Sequence, residues 1–301
     1  MEYSGSFKSG FISILGSPNV GKSTLLNSFI GQKISIVSNK AQTTRNKIIG
    51  VLTRGDRQMI FIDTPGIHDP RTKLGEYMVD AAYSANRDVD VTLFMIDSKA
   101  GCGERDQEIL SRLSKSYLLV AVNKTDLVSR EDIEKIHGRL HDFSIDEEHI
   151  VDISALYGTG IYDLENRIME MLPEGPKYYP EDTVTDMPEK FICAEFIREK
   201  ALYFLRDEIP HGIGIEIEKV TETDELISVY AVIICEKSSH KGIIIGRNGS
   251  MLKRIASESR KDMEMLFGTK VYLEVFVKVK DDWRNSNFML KELGYRKEDN
   301  I

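Results

Sequence analysis

The sequence predicts an α/β domain over residues 1–175, with helices on both faces of a mixed, mostly parallel sheet. A linker at 176–190 and a smaller α+β domain at 191–301 follow. Three observations lead there. Short apolar runs alternate with amphipathic segments as far as Met171. A glycine-rich turn, Gly16-Ser17-Pro18-Asn19-Val20-Gly21-Lys22-Ser23, stands between the apolar run Phe11–Leu15 and a helical pattern opening at Thr24. Beyond residue 190 the order changes to helix, strand, strand, helix pair, strand.

At 301 residues and 41% hydrophobic content the chain can bury two ordinary cores. A net charge of −8 does not advertise nucleic acid in the total. Cys102, Cys193 and Cys235 lie far apart, and Met1–Ser6 lacks an apolar leader core, so a reducing cytoplasm is expected. No run approaches the ~20 apolar residues of a membrane span. The six histidines are expected to be ordinary surface or loop residues, without a zinc site.

The turn at Gly16 matches glycine, four residues, glycine, lysine, serine. A strand delivers the chain, backbone N–H groups converge on phosphates, and the next helix adds the positive end of its dipole. Gly16 and Gly21 allow backbone geometries that a Cβ would block. Lys22 is expected at the β- and γ-phosphates, and Ser23 on magnesium. The whole loop, with Ser17, Pro18, Asn19, Val20 and Thr24, forms one wall of the expected nucleotide site.

The polar stretch Gly31–Lys47 is long for a connection and carries Gln42-Thr43-Thr44-Arg45. In nucleotide switches such a loop sets a threonine on the magnesium; Thr43 and Thr44 are both candidates. Strands are predicted at Asn46–Leu52 and Gln58–Ile62, around the turn Arg54-Gly55-Asp56. Asp63-Thr64-Pro65-Gly66 follows. There Asp63 suits magnesium, and the Gly66 N–H can bond the γ-phosphate only while that phosphate is present. Ile67 stands where many GTPases carry a water-orienting glutamine, so slow intrinsic hydrolysis is expected. By resemblance to GTPases with a hydrophobic residue there, Asn19 is the candidate to hold a potassium ion near the phosphates. Lys22, Thr43, Thr44, Asp63, Gly66 and Asn19 are thus the candidate catalytic set.

A helix is predicted from near Gly75, a strand at Asp90–Ile96, a helix at Glu104–Ser114, and a strand Tyr117–Val122 ending in Asn123-Lys124-Thr125-Asp126. A carboxylate at Asp126 accepts two parallel bonds from guanine's ring N–H and amine, which adenine cannot offer on that edge. Asn123 and Lys124 brace that loop. The strand His149–Ile153 leads to Ser154-Ala155-Leu156, where the Ala155 N–H meets guanine O6. Five such elements in order identify a GTP-binding domain.

A helix over Gly160–Met171 ends the first domain, and Lys177–Lys190, rich in Pro, Tyr, Asp and Glu, reads as linker. The second domain opens with a helix from Glu195 to about Glu208, stopped by Pro210, then strands Gly214–Lys219 and Leu226–Glu236. Gly246-Arg247-Asn248-Gly249, after isoleucines and before a basic amphipathic helix, fits the loop of a type II KH domain, in which two glycines let an RNA backbone pass close. Residues 237–261 carry Lys237, Lys241, Arg247, Lys253, Arg254, Arg260 and Lys261 against Glu258. A strand Thr269–Lys280 closes the domain. Lys241, Gly246, Arg247, Asn248, Gly249, Lys253 and Arg254 are the candidate RNA contacts.

With these motifs in place the chain resembles the Era family of bacterial GTPases, which join a G domain to a C-terminal KH domain. Further matching stretches are Lys73-Leu74-Gly75, Glu181-Asp182, Thr185-Asp186, Arg198-Glu199-Lys200, Glu208-Ile209-Pro210-His211 and Val277-Lys278-Val279-Lys280 before Trp283-Arg284. The resemblance implies the single-stranded 3′ end of 16S rRNA as ligand, a role in 30S subunit assembly, a monomer, and peripheral contact with the inner membrane. Gly212 and Ala256 depart from its pattern. Two rival readings are a constitutive RNA-binding scaffold with hardly any turnover, kept alive by Ile67, and a membrane-surface signalling GTPase.

Overall fold

The computed structural model describes residues 7–38, 40, 43–223 and 225–295. The readings of Met1–Ser6, of Gln42 and of residues 296–301 lie outside them. The chain forms two compact units. One comprises Met1–Ser35, Thr44–His68 and Met78–Asp186; the other comprises Ile36–Thr43, Asp69–Tyr77 and Met187–Ile301.

In the first unit, β1 (Lys8–Gly16), α1 (Lys22–Ile30), β2 (Ile48–Arg54), β3 (Arg57–Asp63), α2 (Lys73–Ser84), β4 (Val91–Asp97), α3 (Glu104–Arg112), β5 (Leu118–Asn123), α4 (Arg130–Asp142), β6 (Ile150–Asp152) and α5 (Ile161–Met171) follow in order. Of α2, only the residues from Met78 group here. The sheet runs β2-β3-β1-β4-β5-β6, and only β2 is antiparallel to its neighbour. Ile12, Ile14, Leu15, Leu93, Phe94 and Ile96 are all fully buried, as strands covered on both faces require. Register aligns Ile14 with Asp63, Gly16 with Met95 and Asp97 with Asn123. The carboxyl ends of β1, β3, β4 and β5 therefore share one edge, where β1 marks the reversal of strand order. Open α/β sheets bind ligands at such a point.

The stretch read as a linker is only partly one. Residues up to Asp186 group with the first unit, and polar contacts explain why. Ser9 Oγ donates to Pro176 O at 2.6 Å, the Gln58 amide exchanges two bonds with Tyr179, and the Thr185 hydroxyl donates to Ile49 O. Val51 N–H, on the edge strand β2, finds Val184 O at 2.9 Å. An edge strand leaves donors unpaired, and this segment covers them.

The second unit contains α6 (Glu189–Phe204), β7 (Gly214–Glu222), β8 (Leu226–Cys235), α7 (Ser238–Ile245), α8 (Ser250–Phe267), β9 (Lys270–Val279) and α9 (Asn287–Glu292). The order of β7-β8-β9, with β7 antiparallel and β9 parallel to β8, is that of a type II KH fold. Helix α6 starts and stops earlier than the sequence predicts. Pro188 stands at its N-cap, where a missing N–H costs nothing, and the chain turns extended at Leu205 before Asp207 takes φ 53. Its core joins Phe196 and Ile197 of α6 to Val229, Ala231 and Ile233 of β8 and to Ile255 of α8. Ile36 belongs to this core, which is why Ile36–Thr43 does not group with the first unit as its place in the sequence suggests.

His137 and His141 stand four apart on α4, a His-x3-His spacing that corrects the reading of the six histidines as having none. Both imidazoles meet the Glu147 carboxylate, at 3.0 Å, and His137 Nε2 meets Asp152 at 2.9 Å.

Candidate functional site

The phosphate loop closes β1 and opens α1. Gly16 and Gly21 hold φ 150 and 106, and a Cβ on Gly16 would stand 2.5 Å from Met95 O. Lys22 is buried at 6% exposure, and its ammonium donates to Gly16 O and Ser17 O at 3.0 Å each. Burial holds its pKa down near 8, against the pull of Asp63 and Asp106. Asn19 takes φ 65 at the loop's exposed crest. Gly66 passes so close that a Cβ there would stand 2.7 Å from Pro18 Cα.

Asp63 ends β3, fully buried. Its Oδ2 accepts from Ser23 Oγ at 2.7 Å, from Ser35 Oγ at 2.9 Å and from Thr44 Oγ1 at 3.5 Å, while Oδ1 has no hydrogen-bond partner. Ser23 Oγ and Thr44 Oγ1 lie 2.9 Å apart. Burial pushes the Asp63 carboxyl above its ordinary range, with Lys22 and the hydroxyls opposing. A buried carboxylate oxygen without a partner, beside hydroxyls from two other elements, is a hard-oxygen set that suits magnesium. The two threonines separate here. Thr44 is buried beside Ser23, whereas Thr43 Oγ1 donates to Lys40 O at 2.6 Å within its own loop.

Base recognition is built on β5 and β6. Asn123 is buried; its amide donates to Val20 O at 2.7 Å and its Oδ1 accepts from Ala155 N–H at 2.9 Å. One side chain thus ties the phosphate loop to the last loop. Lys124, at φ 66, donates to Asn19 O at 2.7 Å and to Asp97 at 2.5 Å. Asp126 Oδ1 accepts from Ser154 Oγ at 2.5 Å, and Thr125 Oγ1 donates to Ile153 O. Thr64, packed beside Pro65, donates to Ile14 O at 2.7 Å. Leu156 is exposed. Ile67, 6% exposed, belongs to the apolar core, so its side chain has no access to an attacking water.

Several supports escaped the sequence reading. Ser35 bonds Asp63 and is held by Asn27, which accepts its N–H and donates to its carbonyl. Asp106 on α3 accepts from Ser17 Oγ at 2.7 Å, and burial raises its pKa. Neither lies in a motif; only the fold brings them to the loop.

The second candidate surface is the turn between α7 and α8. Gly246 takes φ 72, Asn248 φ 52 and Gly249 φ 77, and Arg247 and Asn248 are exposed. Lys253 and Arg254 are exposed on the first turns of α8, and Lys241 lies on α7. The Arg254 guanidinium lies 4.2 Å over the Phe204 ring. Farther along, Arg260 pairs with Glu264 and Lys261 with Glu258, so the charge counted over 237–261 is free of such pairing only toward the loop end.

A GTPase family model described as 50S ribosome-binding GTPase matches residues 11–124, and a KH domain model matches residues 208–284. GTPase Era of Ruminiclostridium cellulolyticum is 50% identical over 98% of this chain and 100% of its own. An Aquifex aeolicus Era variant, solved bound to GDP and AlF4−, superposes with a TM-score of 0.92 at 38% identity, covering 96% of this chain and 99% of that one. An Era solved with MgGDPNP and nucleotides 1506–1542 of 16S ribosomal RNA gives the same TM-score, identity and coverage.

Proposed function

The chain belongs to the Era family of GTPases, and from that premise we propose a magnesium-dependent GTP switch that binds the 3′ end of 16S rRNA and assists 30S subunit assembly. The observation that carries the nucleotide half is the Asn123 side chain, which bonds both Val20 O and Ala155 N–H. It fixes the phosphate and guanine loops relative to each other. Lys22 meets the β- and γ-phosphates; Ser23, Thr44 and Asp63 hold magnesium, with Thr44 taken over Thr43 on geometry. Magnesium, when bound, neutralises phosphate charge as the terminal bond breaks. Gly66 N–H reports the γ-phosphate, and Asp126 selects guanine.

The solved structure of an Era with MgGDPNP and nucleotides 1506–1542 of 16S ribosomal RNA supports the metal and RNA assignments. The RNA runs along Gly246–Gly249, where Arg247, Lys253 and Arg254 meet phosphates. Hydrolysis releases the two switch segments and so changes RNA affinity; by linkage, RNA that prefers the GTP state tightens GTP binding by the same factor. Potassium beside Asn19 compensates for the missing glutamine. The protein works as a cytoplasmic monomer that touches the inner membrane peripherally; no helix among the described residues is long and apolar enough to cross one.

Displacement of a fluorescent GTP analogue by GTP, GDP and ATP, with and without magnesium, tests the nucleotide assignment. GTP and GDP should compete and ATP should not, and Asp126→Ala should erase that difference. Competition by ATP equal to GTP would reject it. The buried Ile67 favours a second reading, in which nucleotide is held and hardly turned over. A potassium response lost in Asn19→Ala would count against that reading.

A further inference from the structure

Helix α6 ends on a tyrosine that core packing does not account for. Ala201, Leu202 and Leu205 are buried and Phe204 packs beside them, as one face of a helix should, while Tyr203 stands outside that face at 76% exposure. The Tyr203 and Phe204 rings meet edge to face at 5.0 Å, with their planes 84° apart. On the second turn of α8, the Arg254 guanidinium lies 4.2 Å over the Phe204 ring. All of these residues belong to the second unit.

A single exposed tyrosine is ordinary on a protein surface. Its surroundings set this one apart. Arg254 is five positions past Gly249, about 8 Å along the axis of α8, so the aromatic pair stands at the end of the basic turn already described. Among the described residues no ion pair takes up Arg247, Lys253 or Arg254. Stacking occupies only the flat face of a guanidinium, and its donors lie in the plane, free for a phosphate. Arg254 can therefore back Phe204 and meet RNA at once. Asp207 and Glu208, exposed beyond Leu205, offset part of the charge, so the ring rather than net charge recommends this spot. Tyr272, also exposed, has its hydroxyl on Glu274 at 3.4 Å, a carboxylate that would repel an RNA strand. A glycine turn clamps RNA backbone but takes no hold on bases. An aromatic face supplies that hold for any sequence, because every base has a π-face.

We propose that Tyr203 is a stacking platform for an unpaired RNA base beside the Gly246–Gly249 turn, with Phe204 behind it and Arg254 on the adjoining phosphate. This rests on the reading of that turn as the RNA track, and extends the track from backbone to base.

The test uses full-length protein and an oligonucleotide matching the 3′ end of 16S rRNA, with affinity measured by fluorescence anisotropy over a salt titration and thermal unfolding in parallel. Tyr203→Ala should weaken binding about tenfold and leave the slope of log affinity against log salt unchanged, because stacking releases no counterions. Tyr203→Phe, which keeps the π-face, should stay within about twofold of wild type, and Tyr203→Leu, which keeps bulk alone, should fall with alanine. Arg254→Gln should instead reduce the slope by about 0.7, the value of one phosphate contact on a single strand. A 2-aminopurine moved along the oligonucleotide should be quenched at one position by the wild type and released there in Tyr203→Ala. Unchanged affinity in Tyr203→Ala, or the same quenching at every position, would overturn the proposal. So would equal losses in Tyr203→Phe and Tyr203→Ala, or a loss that tracks the fall in unfolding temperature. Arg247→Glu with Asn248→Glu separates the two levels. If that variant binds the oligonucleotide like wild type, the reading of the turn fails and the proposal with it; if it binds weakly while Tyr203→Ala binds like wild type, the proposal alone fails.

Discussion

Two glycine-bounded turns that each open a helix, and that we propose to meet phosphate, are built on opposite principles. The turn at Gly16–Ser23 is clamped: Asn123 and Lys124 hold its carbonyls, Asp106 holds Ser17, and the Lys22 ammonium folds back on Gly16 and Ser17. The turn at Gly246–Gly249 is open, with Arg247 and Asn248 exposed and nothing within 4 Å of a Cβ built on Gly249. A compact triphosphate rewards donors fixed in advance. An RNA strand has to slide in lengthwise and rewards an accessible track with mobile charges. The same local grammar serves both, and the surroundings decide which ligand fits.

Breaking the clamped turn should have the largest effect. Lys22→Ala removes a buried charge that no neighbour can replace, and GTP affinity should fall by about a hundredfold or more in a fluorescent-nucleotide titration. RNA affinity measured without nucleotide should not move; a parallel loss there would mean that the two turns are not separate sites.

Acidic replacement in the open turn should reverse the pattern. Arg247→Glu with Asn248→Glu should weaken RNA binding by ~10- to 100-fold and flatten its salt dependence, because phosphate contacts are lost, while basal GTP hydrolysis stays put. Unaltered RNA affinity would remove the site from this loop.

A milder pair sharpens the contrast. A Cβ on Gly21 runs into the Asn123 amide at φ 106, whereas one on Gly249 meets open space at φ 77. Denaturant unfolding should therefore show Gly21→Ala costing about 2–3 kcal/mol and Gly249→Ala about 1 kcal/mol, the strain of the left-handed backbone alone. Equal costs would mean that the first turn is less tightly packed than it looks.

The smallest effect lies at the rim of the clamped region, where Asp152 of β6 leads into the Ser154 loop. His137 meets Glu147 and Asp152, with His141 also facing Glu147. Burial alone would lower the His137 pKa, but the two carboxylates raise it above 6.5. A raised pKa stabilises the folded state fully below 6.5 and loses that stabilisation as pH rises through the folded value. Glu147 and Asp152 are 66% and 40% exposed, so screening keeps the worth under about 1 kcal/mol. His137→Gln should lower the unfolding temperature at pH 6 and not at pH 8; equal loss at both would show a packing role only.

The clamped turn was the more legible of the two because its chemistry is written in contiguous residues. Gly16 to Ser23, Asp63 to Gly66, Asn123 to Asp126 and Ser154 to Leu156 can each be read where they stand, and the alternation of strands and helices supplied the sheet. What could not be read came from distance in the chain. Ser35 and Asp106 reach Asp63 and Ser17 only through the fold, and the choice of Thr44 over Thr43 depends on which hydroxyl the backbone turns toward Ser23. Residues 176–186 looked like a linker because their contacts are polar and their apolar pattern weak; a backbone donor and a backbone acceptor of the edge strand β2 claim them. Helix α6 ends where the chain turns extended at Leu205, ahead of Pro210, a break that no propensity encodes reliably. The spacing of His137 and His141 was there to be read, though not its use against Glu147.

The central claim is that the two turns, so differently built, work as one switch. Its most direct test is GTP hydrolysis in potassium buffer, with and without an oligonucleotide matching the 3′ end of 16S rRNA, beside a scrambled control. Stimulation by the matched RNA alone, lost in the Arg247→Glu, Asn248→Glu variant, is the expected result. Tight binding of the matched RNA with turnover unchanged would contradict it.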